Sequence, residues 1–280
     1  MKFLFSAFAD ESSNAFSGQI DALKRNDFQY LEIRNLDGKN VSALTMEEAK
    51  AVKQQLADNG LSVWSIGSRI GKVKIEDDFD AHLDLYKYTL DLTKELGADR
   101  IRLFSFFMPK EKDPAEFKNL VLDRMAIFAS MAKEWGVFAC HENEKGIYGD
   151  VAERCLHIHQ AVPELGGVFD PANFVQCGQD TLQAWEMLKT HINYMHIKDA
   201  MPDATVVPPG TGVGNVAQLL KYYAAQGGQV LSLEPHLTNF IGLAGLEQEG
   251  DTSVVGGLSF NSNEEAFDYA ANSLKKLLED

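Results

Sequence analysis

The 280-residue sequence is short of cysteine, of long apolar runs and of positive charge, and each shortage excludes a class of protein. Its three cysteines, Cys140, Cys155 and Cys177, are odd in number and have no C-x-x-C spacing, which argues against a disulfide framework and favours a reduced, cytoplasmic protein. No stretch approaches the roughly 18 consecutive apolar residues of a transmembrane helix, so no membrane association is expected. The formal net charge of −15 repels phosphate backbones, so nucleic acid is not expected as a partner.

Short β-rich runs alternate with amphipathic helical segments along the chain. The runs predict eight strands, at 3–8, 30–34, 61–66, 100–105, 137–142, 167–170, 192–197 and 230–234. Apolar residues at three- and four-residue spacing predict helices such as 45–59, 80–96, 115–134 and 214–226, and glycines that suit left-handed caps follow four helical segments: Gly60, Gly97, Gly136 and Gly227. Strict alternation forces parallel strands joined by right-handed crossovers, and eight such units predict a (β/α)8 TIM barrel. A doubly wound open sheet is the alternative, but no G-x-G-x-x-G follows the first strand.

No linker rich in proline, glycine or serine divides the chain, so we expect a single TIM-barrel domain over residues 1–280. A long loop, 235–261, follows the eighth strand, and we expect it to cover the mouth of the barrel when substrate binds. Another loop contains P-P-G-T-G-V-G (208–214), which lacks the Lys-Ser/Thr of a P-loop. We therefore interpret 208–214 as a tight loop and not as a nucleotide site.

Polar side chains end four successive predicted strands: Glu142, Asp170, His196 and Glu234. In a barrel these strands are neighbours about 4.8 Å apart, and their C-terminal ends form the face on which TIM-barrel sites are built. Three carboxylates converging there would repel one another unless a cation lay between them. Carboxylates with one imidazole suit Mn²⁺, Mg²⁺ or Co²⁺ better than a metal that prefers thiolates. The alternative is that each acid is a helix cap or a loop residue, with D-P-A-N (170–173) a simple turn.

The motifs E-N (142–143), D-P-A-N (170–173), H-I-K-D (196–199) and E-P-H (234–236) together resemble the xylose-isomerase-like TIM barrel superfamily. That superfamily holds sugar phosphate isomerases and epimerases, ketohexose 3-epimerases, inosose dehydratases and apurinic endonucleases. The resemblance implies one divalent cation, with Mn²⁺ favoured and Mg²⁺, Co²⁺ or Zn²⁺ as other candidates. It implies that the ligands are Glu142, Asp170, His196 and Glu234, and that Glu142 and Glu234 are also the catalytic acid/base pair.

The sequence departs from this superfamily in three places. One is the loop after His196, which offers Lys198 and Asp199 where ketohexose epimerases have an arginine. Asn173 stands where epimerases and endonucleases usually have histidine, and Tyr148 stands where ketohexose epimerases have a second glutamate. None of the seven histidines closely follows the second to fourth strands, as the multi-zinc endonucleases require. The resemblance therefore extends to the metal site, but not to a ketohexose substrate or to an endonuclease.

Four further polar residues are predicted to contact substrate: Lys198, His236, Asn173 and Glu144. Lys198 has the inward parity of His196, and His236 has that of Glu234, because side chains alternate along a strand. The alternatives are a salt bridge at the rim for Lys198 and a supporting role in a loop for His236. His141 has the opposite parity and is expected to face the helices. Three other charged residues are expected to contribute a polar pair near or inside the barrel: Glu32, Arg34 and Arg102.

These features predict a divalent-metal-dependent isomerase or epimerase of a sugar or sugar phosphate. Its two glutamates would transfer a proton next to a carbonyl through a metal-stabilised enediolate. The first alternative is β-elimination on an inosose or 3-oxo-glycoside, because the loop 235–261 somewhat resembles that of lyases acting on 3-oxo-glycosides. The second alternative, of another class, is a non-catalytic subunit that binds metal or sugar. The expected partner is a small carbohydrate, and a homo-oligomer remains open.

Overall fold

The computed structural model describes residues 3–241, 243 and 258–279, and eight parallel strands in it close into a barrel. The barrel strands are β1 (Leu4–Ala7), β2 (Tyr30–Ile33), β3 (Ser62–Gly67), β4 (Arg100–Leu103), β5 (Phe138–Glu142), β6 (Gly166–Phe169), β7 (Ile192–Ile197) and β8 (Val230–Leu233). Each strand pairs with its successor in the chain, and β8 closes the barrel on β1, with Leu4 opposite Val230. The predicted (β/α)8 TIM barrel is confirmed.

Helices surround the barrel. They are α1 (Phe16–Arg25), α2 (Met46–Asp58), α3 (Phe79–Glu95), α4 (Lys118–Glu134), α5 (Ala152–Ala161), α6 (Pro171–Gln176), α7 (Thr181–Leu188), α8 (Val216–Ala225) and α9 (Asn263–Leu277). Short 3-10 turns lie at Ala9–Glu11, Val41–Ala43, Pro114–Phe117 and Tyr148–Asp150, and two antiparallel ribbons pair 35–36 with 39–40 and 199–200 with 206–207. No described helix is both long and apolar enough to cross a membrane.

Local sequence signals set the helix ends. Thr45 Oγ1 accepts a hydrogen bond from Glu48 N at 3.1 Å, and Glu48 Oε2 accepts one from Thr45 N at 2.8 Å, which is a capping box at the start of α2. The four predicted glycine caps all have positive φ, as a left-handed C-terminal residue requires: Gly60, Gly97, Gly136 and Gly227. The predicted helix 115–134 begins later, at Lys118. Asp113 caps a 3-10 turn over Pro114–Phe117 before α4 starts, so this boundary was wrong.

Side chains along a strand point alternately into the barrel and out toward the helices, and β7 shows how this separates the apolar core from the polar interior. On β7, Met195 and Ile197 pack outward into the main core between strands and helices. Tyr194 and His196 face inward, because both contact Glu32 across the barrel. On this strand His196 therefore lies inside the barrel, and its apolar neighbours lie between the barrel and the helices. The predicted covering loop, 235–261, lies largely outside the described residues, since 242 and 244–257 are not among them.

Candidate metal centre

The four predicted ligands form one buried cluster at the C-terminal ends of β5 to β8. Glu142 is the last residue of β5, His196 lies in β7, and Asp170 and Glu234 directly follow β6 and β8. Each is at most 2% exposed. One ligand atom from each residue lies within 4.8 Å of the others, the arrangement that a single ion needs. The structure therefore brings together four side chains from four separate strands.

Asp170 provides the test of whether these residues fit a cation. Its Oδ2 is buried and receives no hydrogen bond from any described residue, although Lys198 Nζ lies 3.0 Å away. Burial raises the pKa of Asp170, Lys198 lowers it and the neighbouring Glu142 and Glu234 raise it again, to about 7. A buried carboxylate with an unused oxygen beside two other carboxylates is stabilised by a cation at their meeting point. The residues fit a divalent ion, and Glu142, Asp170, His196 and Glu234 would hold it.

The imidazole of His196 lies among three carboxylates. Its Nδ1 is 2.8 Å from Glu142 Oε1 and 3.6 Å from Glu234 Oε2, whereas its Nε2 is 3.1 Å from Glu32 Oε2. Burial lowers the pKa of His196, but Glu142 and Glu32 outweigh this and raise it well above the ordinary histidine value. In the metal-free protein the imidazole is therefore protonated. Nδ1 is the nitrogen that faces the other ligands, and Glu32 orients the ring from the far side.

Both glutamates of the cluster are ionised. Burial raises the pKa of Glu142, but His196 and Arg102 outweigh it and lower the pKa to about 2. Burial also raises the pKa of Glu234, yet Lys198 and His236 lower it well below the ordinary glutamate value. A carboxylate must be ionised both to ligate a cation and to accept a proton, and Glu142 and Glu234 meet this requirement.

Two of the predicted substrate-binding residues contact the ligands directly. Lys198 Nζ lies 3.0 Å from Asp170 Oδ2 and 2.8 Å from Glu234 Oε2. Burial lowers the pKa of Lys198, and its carboxylate neighbours, Asp170 first, raise it above the ordinary lysine value, so it stays charged. Asn173 Nδ2 donates to Glu142 Oε1 at 3.3 Å. The amide of Asn173 therefore lies against one of the predicted ligands.

The other two lie at the edges of the cluster. His236 Nε2 is 3.3 Å from Glu11 Oε1 and 3.5 Å from Glu234 Oε1, but has no hydrogen-bond partner among the described residues. Its φ of 47° is left-handed, an uncommon conformation for a residue other than glycine. Glu144 forms an ion pair with Lys72, with Nζ 2.8 Å from Oε2. Roles in substrate binding remain predictions for all four.

Sequence reasoning missed a network around Arg34. Its Nε is 2.9 Å from Asp10 Oδ2, its Nη2 is 3.1 Å from Glu11 Oε1 and its Nη1 is 3.0 Å from Glu234 Oε1. Asp10 and Glu11 lie in the 3-10 turn Ala9–Glu11, one residue beyond the first predicted strand. Searching the C-terminal end of the first strand for polar residues, as was done for the last four strands, would have identified Asp10 and Glu11.

The remaining charged residues lie inside the barrel, as expected, but do not pair with one another. Arg34 joins Glu234, Arg102 joins Glu142, and Glu32 receives a hydrogen bond from the Tyr194 hydroxyl at 2.8 Å. His141 faces away from the barrel, with Nε2 3.0 Å from Ser105 Oγ, as its parity predicts. The charged interior is therefore organised around the ligands.

Several solved structures share this fold. The probable 3-DHS dehydratase AsbF from Bacillus anthracis is 16% identical, with 99% of each chain covered and a TM-score of 0.72. The IOLI protein, solved with a bound zinc atom, is 16% identical, with 100% of this chain and 98% of that chain covered and a TM-score of 0.75. A D-tagatose 3-epimerase-like protein is 15% identical, with 100% and 97% covered and a TM-score of 0.75.

At these identities the structural matches establish the fold alone. No curated protein matches the chain significantly by sequence. The family model described as xylose isomerase-like TIM barrel matches residues 20–277, which is most of the chain. The chain therefore belongs to the xylose isomerase-like TIM barrel family.

Proposed function

We propose that the protein is a divalent-metal-dependent isomerase or epimerase that moves a proton at a sugar carbon next to a carbonyl group. The observation that carries this proposal is the pair of ionised, buried glutamates, Glu142 and Glu234, within one cluster of ligand groups. A bound divalent cation, for which we favour Mn²⁺, would stabilise the negative charge that develops on the carbonyl oxygen and the adjacent hydroxyl oxygen.

The two glutamates would do the proton transfer. One removes the α-proton from one face of the substrate, and the other returns a proton to the opposite face, which gives the epimer. Return to the neighbouring carbon gives the isomer. Arg34 on Glu234 and Arg102 on Glu142 favour the ionised form of each base. Lys198, whose Nζ lies 2.8 Å from Glu234 Oε2, would bind a substrate oxygen and so position the substrate next to Glu234.

β-Elimination is the second candidate, and His236 is the observation that favours it. Its buried Nε2 has no hydrogen-bond partner among the described residues and lies beside the base Glu234. The same proton abstraction would then be followed by departure of a leaving group, to which His236 would give a proton. One structural neighbour is described as a probable dehydratase, which agrees with this chemistry on the shared fold.

An NMR screen in D₂O distinguishes these reactions. The protein would be incubated with Mn²⁺ and separately with ketoses, sugar phosphates, inososes and 3-oxo-glycosides. Deuterium at one carbon with inverted configuration identifies an epimerase, and deuterium at the neighbouring carbon identifies an isomerase. Loss of water or of an aglycone identifies a lyase. Absence of exchange and conversion with every class, in protein shown to hold metal, would contradict the proposal and favour a non-catalytic binding subunit.

A further inference from the structure

Glu11 contacts His236 at two points, across the seam where β1 meets β8. Glu11 lies in the 3-10 turn Ala9–Glu11 after β1, and His236 is the second residue after Glu234. The backbone N–H of His236 donates to Glu11 Oε2 at 2.6 Å, and His236 Nε2 lies 3.3 Å from Glu11 Oε1. The two residues are 225 positions apart in the chain, so this contact belongs to the closed barrel and not to a single loop.

The bond to the backbone supports an uncommon conformation of His236. Its φ of 47° is left-handed, and strain of this kind persists only where the surrounding contacts hold it. The carboxylate of Glu11 supplies one such contact, and the ring of Phe240, whose centre lies 5.4 Å from that of the imidazole, supplies another. In this conformation Nε2 of His236 lies 3.5 Å from Glu234 Oε1. The clamp therefore keeps the ring beside a predicted metal ligand.

Nε2 of His236 is buried, and it has no hydrogen-bond partner in the part of the chain that the structure describes. The two oxygens near it, Glu11 Oε1 and Glu234 Oε1, already accept hydrogen bonds from Arg34, at 3.1 and 3.0 Å. Both oxygens are acceptors, so Nε2 is suited to carry the proton and to donate it in a hydrogen bond. A buried donor without an acceptor is unfavourable, and a substrate oxygen would satisfy it.

The same groups also meet the distance requirement of a metal site. One ligand atom each from Glu11, Glu234 and His236 lies within 4.8 Å of the others. However, the guanidinium of Arg34 already pairs with both carboxylates. A divalent cation at this point would lie next to a fixed positive charge, which repels it. The arrangement therefore favours an oxygen of an organic ligand over a second metal ion.

Glu234 lies between His236 and Lys198. Its Oε2 is 2.8 Å from Lys198 Nζ and 3.6 Å from His196 Nδ1, so this oxygen faces the other predicted ligands. Its Oε1 faces Arg34 and His236. A substrate bound next to Glu234 would therefore meet Lys198 on one side and His236 on the other.

We propose that Glu11 is a positioning residue, which holds the imidazole of His236 beside Glu234 so that Nε2 binds a substrate oxygen. The use of His236 on a sugar substrate rests on the proposed function. The position of the ring does not, because it follows from the contacts with Glu11. The two parts are therefore tested separately.

The position of the ring is tested by NMR without substrate, in protein that contains isotope-labelled histidine. The Nε2 signal of His236 is assigned by its absence from His236→Asn, since asparagine tolerates the left-handed backbone. Glu11→Ala removes the negative charge 3.3 Å from Nε2, so this signal should shift. Asp10→Asn is the matched control, because the Asp10 carboxylate bonds to Arg34 and Asn35 and its loss leaves Glu11 in place. An unchanged signal in Glu11→Ala, or an equal shift in Asp10→Asn, would overturn the proposal.

A second variant, Glu11→Gln, covers the case in which Glu11→Ala does not fold. Glutamine keeps an oxygen that can accept the backbone N–H of His236, but it places no charge beside the ring. We expect the backbone amide signal of His236 to stay near its wild-type position and the Nε2 signal to shift. A spectrum of Glu11→Gln in which the Nε2 signal stays in place would contradict the clamp.

The use of His236 is tested on the substrate that reacts in the D₂O screen, with every variant saturated with Mn²⁺. Glu11→Ala and His236→Asn should each lower kcat/KM by roughly 10-fold or more, because a displaced group no longer meets the substrate in the productive geometry. The double variant should lose no more than His236→Asn alone, and Glu11→Gln should retain more activity than Glu11→Ala. Losses that multiply in the double variant would overturn the proposal, since the two residues would then act independently. If no substrate class reacts, only the proposed function is weakened, and the NMR comparison still decides whether Glu11 positions the ring.

Discussion

At the scale of single residues, Asp170 is the predicted metal ligand that has no proposed role in proton transfer, so its removal tests metal binding alone. Asp170→Ala removes one charge and one donor from a buried cluster, so we expect metal affinity to fall by at least about 10- to 100-fold. Metal content after dialysis, measured by mass spectrometry, checks this. Asp203→Ala, at an exposed position, should keep wild-type metal content. Full retention in Asp170→Ala would remove this residue from the site.

Glutamine substitutions of the two glutamates should affect turnover more than metal binding, unlike Asp170→Ala. Glutamine can still offer an oxygen to the metal but cannot accept a proton. Glu142→Gln and Glu234→Gln, each saturated with Mn²⁺, should lose on the order of 10²-fold or more in turnover. If each glutamate serves one face of the substrate, one variant will still exchange the α-proton of one epimer with D₂O without converting it. Near-normal turnover in either metal-saturated variant would exclude that glutamate as a base.

Glu32 should act through His196 and not on the substrate. Glu32→Gln weakens the acceptor on Nε2 of His196, so we expect metal affinity to fall by about 10-fold or more. Tyr194→Phe is the matched control, because Tyr194 binds the other oxygen of Glu32 and leaves the imidazole contact in place. Calorimetric titration with Mn²⁺ measures both. Equal affinities for Glu32→Gln and wild type would mean that the ring is held by other contacts.

The inward positions of His196 and Lys198 could be predicted from strand parity, because alternation is a property of the local backbone. Their partners could not. Arg34 meets Glu234 across 200 residues of sequence, and which arginine reaches which glutamate depends on rotamers inside the closed barrel. Strand-end reasoning therefore anticipated that the four predicted ligands lie together, but not the second set of charges that contacts them.

At the scale of elements, the protonation of side chains at the ends of β5 to β8 is coupled, because these side chains lie next to one another. Without metal, the pKa of His196 is raised by Glu142 and Glu32 against the effect of burial, and burial raises that of Asp170 to about 7. Both groups must lose protons when a cation binds. Affinity should therefore rise with pH, by about two decades per unit below pH 7 and about one above it. Competition with a calibrated chelator from pH 5.5 to 8 measures this, and a flat profile would contradict the protonated cluster.

The strands and the long helices were predictable because each carries its own hydrophobic period. The shortest elements could not be predicted in this way. The 3-10 turn at Pro114–Phe117, the six-residue helix α6 and the two ribbons are too short to show a period, and their conformation depends on contacts with neighbouring loops. One of these ribbons, 199–200 with 206–207, carries Asp199, so its hydrogen bonds with the loop 208–214 could not be recognised from the motif P-P-G-T-G-V-G.

At the scale of the whole molecule, Arg34 joins groups from the beginning and the end of the barrel. Arg34→Met would leave Asp10, Glu11 and Glu234 buried around an uncharged side chain, and we expect the free energy of unfolding to fall by about 3 to 5 kcal/mol. Arg25→Met is the control. Arg25 pairs with Asp268 and Glu264 at a side chain that is 36% exposed, so its loss should cost about 1 kcal/mol or less. Urea unfolding measures both, and equal losses would contradict this account.

The closure of the barrel between β1 and β8 also has a kinetic consequence. Leu4 pairs with Val230, and Arg34 meets Glu234 across 200 residues of sequence. Both contacts require closing a very long loop, so they should form late in folding, after the adjacent β-α units have docked. Glu234 enters the ligand cluster only when β8 is in place. A cation held by this cluster would therefore bind only after the barrel closes, and Mn²⁺ should slow unfolding far more than it accelerates the early phases of refolding.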